Sequence, residues 1–485
     1  MGGLIPTKGM IKYNKNFMNK VKVRIAPSPT GNLHVGTARS AIFNWLYAKH
    51  NNGEFIVRIE DTDTERSKKE YEDNILDGFK WLGLDWDRLE RQSERTEIYK
   101  KYLRELLENK KAFWCYHSKT ELMEEKEGQM VRKEPPRHIC SHKNNPPSEL
   151  PTDEGIIRLN VSEKEGSVSF EDMVRGEVVF QREIIGDISI AKNENSPLYN
   201  FAVVVDDHEM EISDVIRGED HIPNTPKQIL IYEALGFDIP NFAHIPLILG
   251  EDKSKLSKRH GAVSIFDYKE EGFLAESMFN FLSLLGWSPK NDVEIMSKEE
   301  IIDIFYLDGI QKSGAVFDIK KFKWMNGEYI KKMDLEELKK EIDPFLNKHF
   351  GSYEKDILDK SIGVIQERVE IFDQAKEFHF IFKDIEYESD LLVWKKSDIL
   401  GAKKSLETIL KLIEQDFPEE INIEKLKEKL DGISQSDFAG DRGAVYWPLR
   451  VALSGEKFSP DPIQLTTILG KEKTIKRIKK AIDKI

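Results

Sequence analysis

Apolar and polar positions alternate along Val21-Lys22-Val23-Arg24-Ile25-Ala26, the pattern of a strand with one buried face. Pro27, Pro29 and Gly31 end it. Ala38, Ala41, Ile42, Trp45 and Leu46 then recur at helical spacing and predict a helix over 35–50, closed by Gly53. Phe55-Ile56-Val57-Arg58-Ile59 reads as a second strand. Strand, helix and strand in succession predict a βαβ unit, hence a parallel sheet with a right-handed crossover. A further helix is predicted over 68–82, ended by Gly83.

The pattern changes at about residue 91. A helical stretch at 99–107 leads into polar sequence rich in Lys, Glu, Pro and Asn, up to Pro151. Short strand-like pieces follow at 155–159, 166–170 and 177–181. This segment reads as an α+β insertion into the sheet domain. Phe201-Ala202-Val203-Val204-Val205 is read as a buried parallel strand, followed by a helix over 225–235 and a strand over 244–249. From residue 270 helical periodicity dominates to the end, with 308–327 and 432–446 the least helical parts.

A chain of 485 residues is too long for one core, so several domains are expected. No run of eighteen apolar residues occurs, and residues 1–20 lack the apolar stretch of a signal peptide, so no membrane contact is predicted. Those residues carry Lys8, Lys12, Lys15 and Lys20 without an acid, and read as a flexible extension, solvated or touching nucleic acid. Two cysteines, Cys115 and Cys140, fit a reducing compartment and predict a cytoplasmic location. A net charge of −13 argues against unspecific nucleic-acid binding, but leaves room for a specific RNA held by a local basic surface.

Two segments carry candidate chemistry. The turn Pro27-Ser28-Pro29-Thr30-Gly31-Asn32-Leu33-His34-Val35-Gly36-Thr37 lies at the carboxyl end of a parallel strand and the start of a helix, where open α/β sheets bind ligands. Free backbone N–H groups there attract phosphate, His34 can donate to a phosphate oxygen, and Gly36 lets a ligand approach the backbone. A His-x-Gly turn alone is equally a capped, proline-rich turn. Lys255-Leu256-Ser257-Lys258-Arg259 follows the last predicted strand. Its cations suit a transferring phosphoryl group, although most such runs are solvated loops. Together the two bracket one sheet edge where ATP would lie.

The pair resembles the HIGH and KMSKS signatures of class I aminoacyl-tRNA synthetases. Arg24-Ile25-Ala26-Pro27-Ser28-Pro29-Thr30-Gly31, Arg58-Ile59-Glu60-Asp61-Thr62-Asp63, Val215-Ile216-Arg217-Gly218-Glu219-Asp220-His221 and Ala315-Val316-Phe317-Asp318 resemble bacterial-type glutamyl-tRNA synthetases. A weaker match recurs at Trp447-Pro448-Leu449-Arg450-Val451-Ala452-Leu453. The resemblance implies a Rossmann-type catalytic domain in two halves (21–90 and 199–262) around an acceptor-arm-binding insertion (91–198). A connecting domain (263–335) and an all-helical anticodon-binding region (336–485) would follow.

It implies ligation of L-glutamate to tRNA(Glu) through a glutamyl-adenylate, in a cytoplasmic and usually monomeric enzyme. Glutamate would be held by Arg24, Ala26, Ser28, Glu60, Tyr199 and Arg217, with Arg24 on the side-chain carboxylate and Glu60 on the α-ammonium. ATP with Mg²⁺ would be held by His34, Gly36, Thr37, Asp220, Ile248 and Lys258, and His34, Lys255 and Lys258 would be catalytic. The family binds tRNA before it activates glutamate. Glutaminyl-tRNA synthetase is the nearest rival, but carries Pro-Glu-Pro where this chain has Pro27-Ser28-Pro29, and its eukaryotic-type anticodon part is β-barrel. A non-discriminating enzyme that also charges tRNA(Gln) stays open. Nucleotidyltransferases with a similar turn need no helical domain, and a bare RNA-binding module needs no Arg24, Glu60 and Arg217.

Cys115-x-His117 and Cys140-x-His142 supply the donors of a tetrahedral Zn²⁺ site. The alternative is two idle cysteines beside solvated histidines. Some members of the family carry a Cys-x-Cys and Cys-x-His knuckle in this insertion, from which His117 departs while remaining a competent ligand. His138 is a bystander on this reading. Lys473, Lys476, Arg477 and Lys480 recur at helical spacing near the end, a face for RNA phosphates or for solvent.

Overall fold

The computed structural model describes residues 20–63, 65–144, 155–161, 166–257, 259, 264–395, 397–417 and 421–485. It divides into two compact units, one reaching to Asp267 and including Met278–Asp318, the other comprising Tyr268–Ser277 and Ile319–Ile485.

In the first unit β1 (Lys22–Ile25), α1 (Val35–His50), β2 (Glu54–Ile59), α2 (Lys69–Trp81) and β3 (Arg88–Arg91) build a parallel three-stranded sheet of order β1-β2-β3, in register at Lys22↔Glu54 and Ile56↔Arg88. Val23, Phe55, Ile56 and Val57 are fully buried, as alternation on β1 and the apolar run on β2 require. Gly83 takes φ 67°, which lets α2 end in a tight left-handed turn. β3 reads Arg-Leu-Glu-Arg, so no apolar run announced it.

The insertion comprises α3 (Thr96–Glu108), β4 (Ala112–Cys115), α4 (Lys119–Val131), β5 (Ile156–Leu159), β6 (Ser167–Asp172), β7 (Gly176–Gln181), β8 (Ser189–Asn193) and β9 (Ser196–Pro197). An antiparallel sheet of order β4-β5-β8-β9 is its own. α4 falls within the polar stretch and is started by a capping box between Ser118 and Glu121.

The chain then corrects one sequence expectation. Phe201-Ala202-Val203-Val204-Val205 is not a strand but the core of a helix, α5 (Tyr199–Glu209), with all five residues buried. A short run apolar on every side fits a helix enclosed all round as well as an inner strand, and periodicity cannot separate the two. The second parallel layer is supplied instead by β10 (Asp214–Gly218) and, after α6 (Thr225–Leu235), by β11 (Asn241–Ile245). They pair at Asp214↔Asn241 in a sheet of order β10-β11-β6-β7, to which the insertion's hairpin contributes half. The strand expected over 244–249 is two, β11 and β12 (Ile248–Leu249), separated at Pro246.

β1 and β10 lie side by side but belong to different sheets, and hydrogen bonds join them where they begin. Ser213 N donates to Lys22 O at 3.0 Å and Lys22 N to Ser213 Oγ at 2.9 Å. Further along, the carbonyl of Ile216 accepts from Asn44 Nδ2 of α1 at 2.9 Å, so a buried side chain takes a bond that a neighbouring strand would otherwise make. The strand order reverses here: β1 leads away to β2, β10 away to β11.

α7 (Ile265–Glu271), α8 (Ala275–Leu284), α9 (Lys298–Ile304) and β13 (Ala315–Val316) follow, and β13 pairs with β12. The second unit is helical: α10 (Ile319–Lys332), α11 (Leu335–Phe350), α12 (Lys355–Gln366), α13 (His379–Phe382), α14 (Ile399–Asp416), α15 (Ile423–Asp437), α16 (Gly443–Ser454) and α17 (Pro462–Asp483). Ile342, Ile365, Leu406, Ile409, Leu449, Leu453 and Ile478 form its core. Parts of 308–327 and 432–446 are helical after all, within α10, α15 and α16, because burial of one face outweighs weak local propensity. The basic face of α17 is partly consumed inside this unit. Lys473 Nζ donates to Ile381 O at 3.1 Å and Arg477 Nη2 to Lys383 O at 2.9 Å, satisfying carbonyls at the end of α13. Lys476 stays exposed. Among the described residues no helix is long and apolar enough to cross a membrane.

Candidate active site

A pocket of about 380 Å³ opens where β1 and β10 separate. Its walls include Arg24 of β1 and Ala26 and Ser28 just beyond it, His34, Gly36 and Thr37 from the start of α1, Glu60 after β2, Tyr199 from α5, Arg217 near the end of β10, Asp220 after it, and Ile248 and Lys255. All the sequence-derived pocket residues among those described are therefore brought together. Lys258 lies outside the described residues.

His34 is the N-cap of α1, and its Nδ1 accepts the Gly36 N–H at 3.0 Å. A nitrogen that accepts carries no proton, so the neutral ring bears its hydrogen on Nε2. Burial, aided by the nearby charge of Lys255, lowers the His34 pKa and keeps that tautomer neutral. A Cβ added at Gly36 would meet only the His34 ring, at 3.4 Å, so the space above this residue is free for a ligand. Lys255 reaches Asp220 at 3.3 Å from a short turn closed by Gly250 N to Ser254 O and Leu256 N to Ile248 O.

The deeper part is a buried charge cluster. Asp207 of α5 receives Nε of Arg24 at 3.0 Å, Nη2 of Arg24 at 3.3 Å and Nη1 of Arg58 at 2.6 Å. Arg58 also reaches Glu60 at 3.3 Å. Asp206 accepts from Gln92 at 2.8 Å, Arg95 at 2.7 Å and Tyr99 at 2.9 Å. Arg24 and Arg58 thus share Asp207, Arg58 reaches Glu60 and Arg95 reaches Asp206, while Arg217 is linked through His244 to a further buried acid, Asp172. Burial raises the Glu60 pKa to about 7 in spite of Arg58 and Arg24. Arg24 Nη1 has no hydrogen-bond partner among the described residues, and Arg217 Nη1 is buried without one. Unpartnered guanidinium N–H groups in a cationic pocket are donors for an anion.

Asp206, Asp207 and Arg58 were missed as site residues, although an Asp pair directly after an apolar run is a readable sign of buried acids. Tyr199 donates or accepts with His221 Nδ1 at 3.1 Å, a motif residue to which the sequence reading gave no role.

A second constellation lies in the insertion. Ligand atoms of Cys115, His117, Cys140 and His142 all lie within 4.8 Å of one another, and both thiols are buried. His117 Nδ1 is 3.4 Å from Cys115 Sγ and 3.5 Å from Cys140 Sγ. His142 Nδ1 accepts from Tyr116 N at 3.1 Å, leaving Nε2 for a metal. Burial opposes ionisation of Cys115, yet hydrogen bonds from His138 and His117 bring its thiol down to about 5. His138 stands outside this set of four but touches it. It bridges Cys115 Sγ at 3.6 Å and Glu125 at 2.5 Å.

The family profile described as class I tRNA synthetases (E and Q), catalytic domain, matches residues 20–324, and an anticodon-binding-domain profile matches 336–482. A glutamate–tRNA ligase of Aquifex aeolicus (strain VF5) is 46% identical over 96% of this chain and 100% of its own length. One from Sulfurihydrogenibium sp. (strain YO3AOP1) is 42% identical over 95% and 99%. The crystal structure of a glutamate tRNA ligase from Elizabethkingia meningosepticum in complex with its amino acid superposes with TM-score 0.85 at 32% identity, covering 96% of this chain and 99% of that one.

Proposed function

The chain belongs to the class I tRNA synthetases of the glutamate and glutamine branch, and from that premise we propose that it ligates L-glutamate to tRNA(Glu) with ATP, in two steps through glutamyl-adenylate. The observation that carries the choice of amino acid is the pair of pocket arginines with unpartnered donors. Arg24 and Arg217 both line the pocket, and each keeps Nη1 without a partner among the described residues. Glutamate brings a carboxylate to each of two such donors, whereas glutamine brings one carboxylate and a neutral amide. Arg24 Nη1 and Arg217 Nη1 are the free donors for carboxylate, and Glu60 is the anion for the ammonium.

In the first step the glutamate α-carboxylate attacks the α-phosphorus of ATP and pyrophosphate leaves. The terminal ribose hydroxyl of tRNA then attacks the adenylate carbonyl and AMP leaves. No covalent enzyme intermediate is required, so the protein contributes position and charge. The α1 N-terminus and His34 Nε2–H would meet phosphate oxygens, Gly36 and Thr37 would lie against the nucleotide, and Asp220 and Ile248 would flank the adenosine. Lys255 and Lys258 would neutralise charge on the departing pyrophosphate. Mg²⁺ would arrive with the phosphates, since among the described residues Glu60 and Asp220 are the only carboxylates lining the pocket and both are engaged.

Zn²⁺ fits Cys115, His117, Cys140 and His142 by donor type and separation, and would fix the insertion where it meets the acceptor arm. Two free thiols fit a cytoplasmic enzyme. Aminoacylation of purified tRNA(Glu) and tRNA(Gln), side by side with glutamate and glutamine, tests the reading. Glutamate on tRNA(Glu) is expected; transfer of glutamine in its place would overturn it, and charging of both tRNAs would mark a non-discriminating enzyme.

A further inference from the structure

Arg217 is oriented by a relay that begins in the insertion. His244, fully buried on β11, receives Arg217 Nε on its Nε2 at 3.1 Å. An arginine nitrogen can only donate, so His244 Nε2 is an acceptor and its proton sits on Nδ1. That Nδ1–H donates to Asp172 Oδ2 at 2.6 Å. Asp172 is buried at the end of β6, where its Oδ1 also accepts the N–H groups of Val174 at 3.0 Å and Arg175 at 2.8 Å. Arg217 Nη2 donates to Thr225 Oγ1 at 2.8 Å. Two of the three guanidinium nitrogens are thereby fixed, and Nη1 is left unpartnered in a residue that lines the pocket.

We infer that Asp172 and His244 are positioning residues for glutamate selection, holding the Arg217 guanidinium so that Nη1 meets a substrate carboxylate. The inference rests on the reading of Arg217 as a glutamate ligand. It adds that a strand of the insertion, β6, supplies a carboxylate on which the amino-acid pocket depends. Without Asp172 the Nδ1–H loses its acceptor, and only the Arg217 bond itself still favours that tautomer. With the proton on Nε2, two N–H groups would face each other and Arg217 would turn away.

The variant D172N separates this from mere stability. Its amide oxygen can keep the Val174 and Arg175 bonds, while its NH₂ faces His244 Nδ1 and demands the opposite tautomer, an inversion of the kind that disables a serine-protease triad. Aminoacylation of the full chain, with glutamate and ATP varied separately at saturating tRNA(Glu), is the measurement. The glutamate KM is expected to rise about 100-fold with the ATP KM unchanged. H244L should do the same, D172N/H244L should be no worse than H244L alone, and H244Q, which restores an acceptor oxygen for Arg217, should recover part of the loss. A normal glutamate KM in folded D172N and H244L would overturn the inference, as would equal rises in both KM values. Should D172N fail to fold, H244L against H244Q decides: equal glutamate KM values overturn it, partial rescue by glutamine supports it. R217A controls for the parent reading. If it leaves the glutamate KM unaltered, the pocket assignment itself fails.

Discussion

The Nδ1 of His34 accepts the N–H of Gly36, and this single bond ties a helix cap to the protonation of a ring that faces the nucleotide pocket. His34→Asn preserves the cap, because an Asn oxygen can take the same N–H, but removes Nε2. His34→Ala removes both. Adenylate formation, read by pyrophosphate exchange with tRNA present, is expected to fall about 100- to 1,000-fold in either variant. Only the alanine variant should lose stability, about 1 kcal/mol. Equal melting points with undiminished exchange would sink the assigned role.

Glu60 has a folded pKa of about 7, raised by burial from its ordinary value. If its anion holds the glutamate ammonium, the glutamate KM should rise as pH falls below 7, while the ATP KM stays level. The sign for stability is opposite. A carboxyl whose folded pKa is raised stabilises the fold below its unfolded value and loses that contribution as pH climbs through 7. Glu60→Gln should therefore melt about 2–4 °C higher than the parent at pH 8 and be nearly inactive. A lower melting point at pH 8 would contradict the buried-charge account.

Asp207 binds Arg24 through two nitrogens and Arg58 through one. Asp207→Ala leaves two buried guanidiniums short of a partner, a loss of about 3–5 kcal/mol by analogy with other buried pairs. Arg24→Ala is the milder change for the fold, since Arg58 continues to satisfy Asp207. It should cost about 100-fold in glutamate KM with thermal stability nearly intact, checked by steady-state kinetics and calorimetry.

Purified protein never exposed to chelator should contain about one zinc per chain by elemental analysis. Cys140→Ser should lower that content and raise the tRNA KM without altering the glutamate KM. Protein that contains no zinc and loses nothing on chelation would remove the metal site.

Much of the sheet domain was legible because its elements announce themselves locally. Alternation marked β1, helical spacing marked α1, and glycines marked ends. α5 was misread because a helix enclosed by protein has no polar face to give it a period. β3 carried only charged residues and one leucine, and is held in place by Ile56↔Arg88 pairing rather than by its own sequence. At the site, residues that face the ligand were readable as motifs. Those that act through another residue, such as Asp207 beneath Arg24 and His244 beneath Arg217, were not, since their chemistry exists only in contacts between distant segments. The basic spacing of α17 left phosphate and solvent both open, and the structure adds a further use for part of it. Lysines that bond carbonyls look in sequence like lysines that bond phosphate.

The bonds between Lys22 and Ser213 join residues 191 positions apart. During synthesis the first half of the pocket leaves the ribosome long before its other wall exists. Until β10 arrives, β1 offers an unpaired edge and the buried faces of Val23 and Ile25 to any passing chain. The active site is thus completed only after the insertion has been made, and a chain that stalls within it carries a half-pocket that can aggregate but cannot react. Substitutions that slow the closure of β1 on β10 will reduce the yield of enzyme without changing the rate of the molecules that succeed.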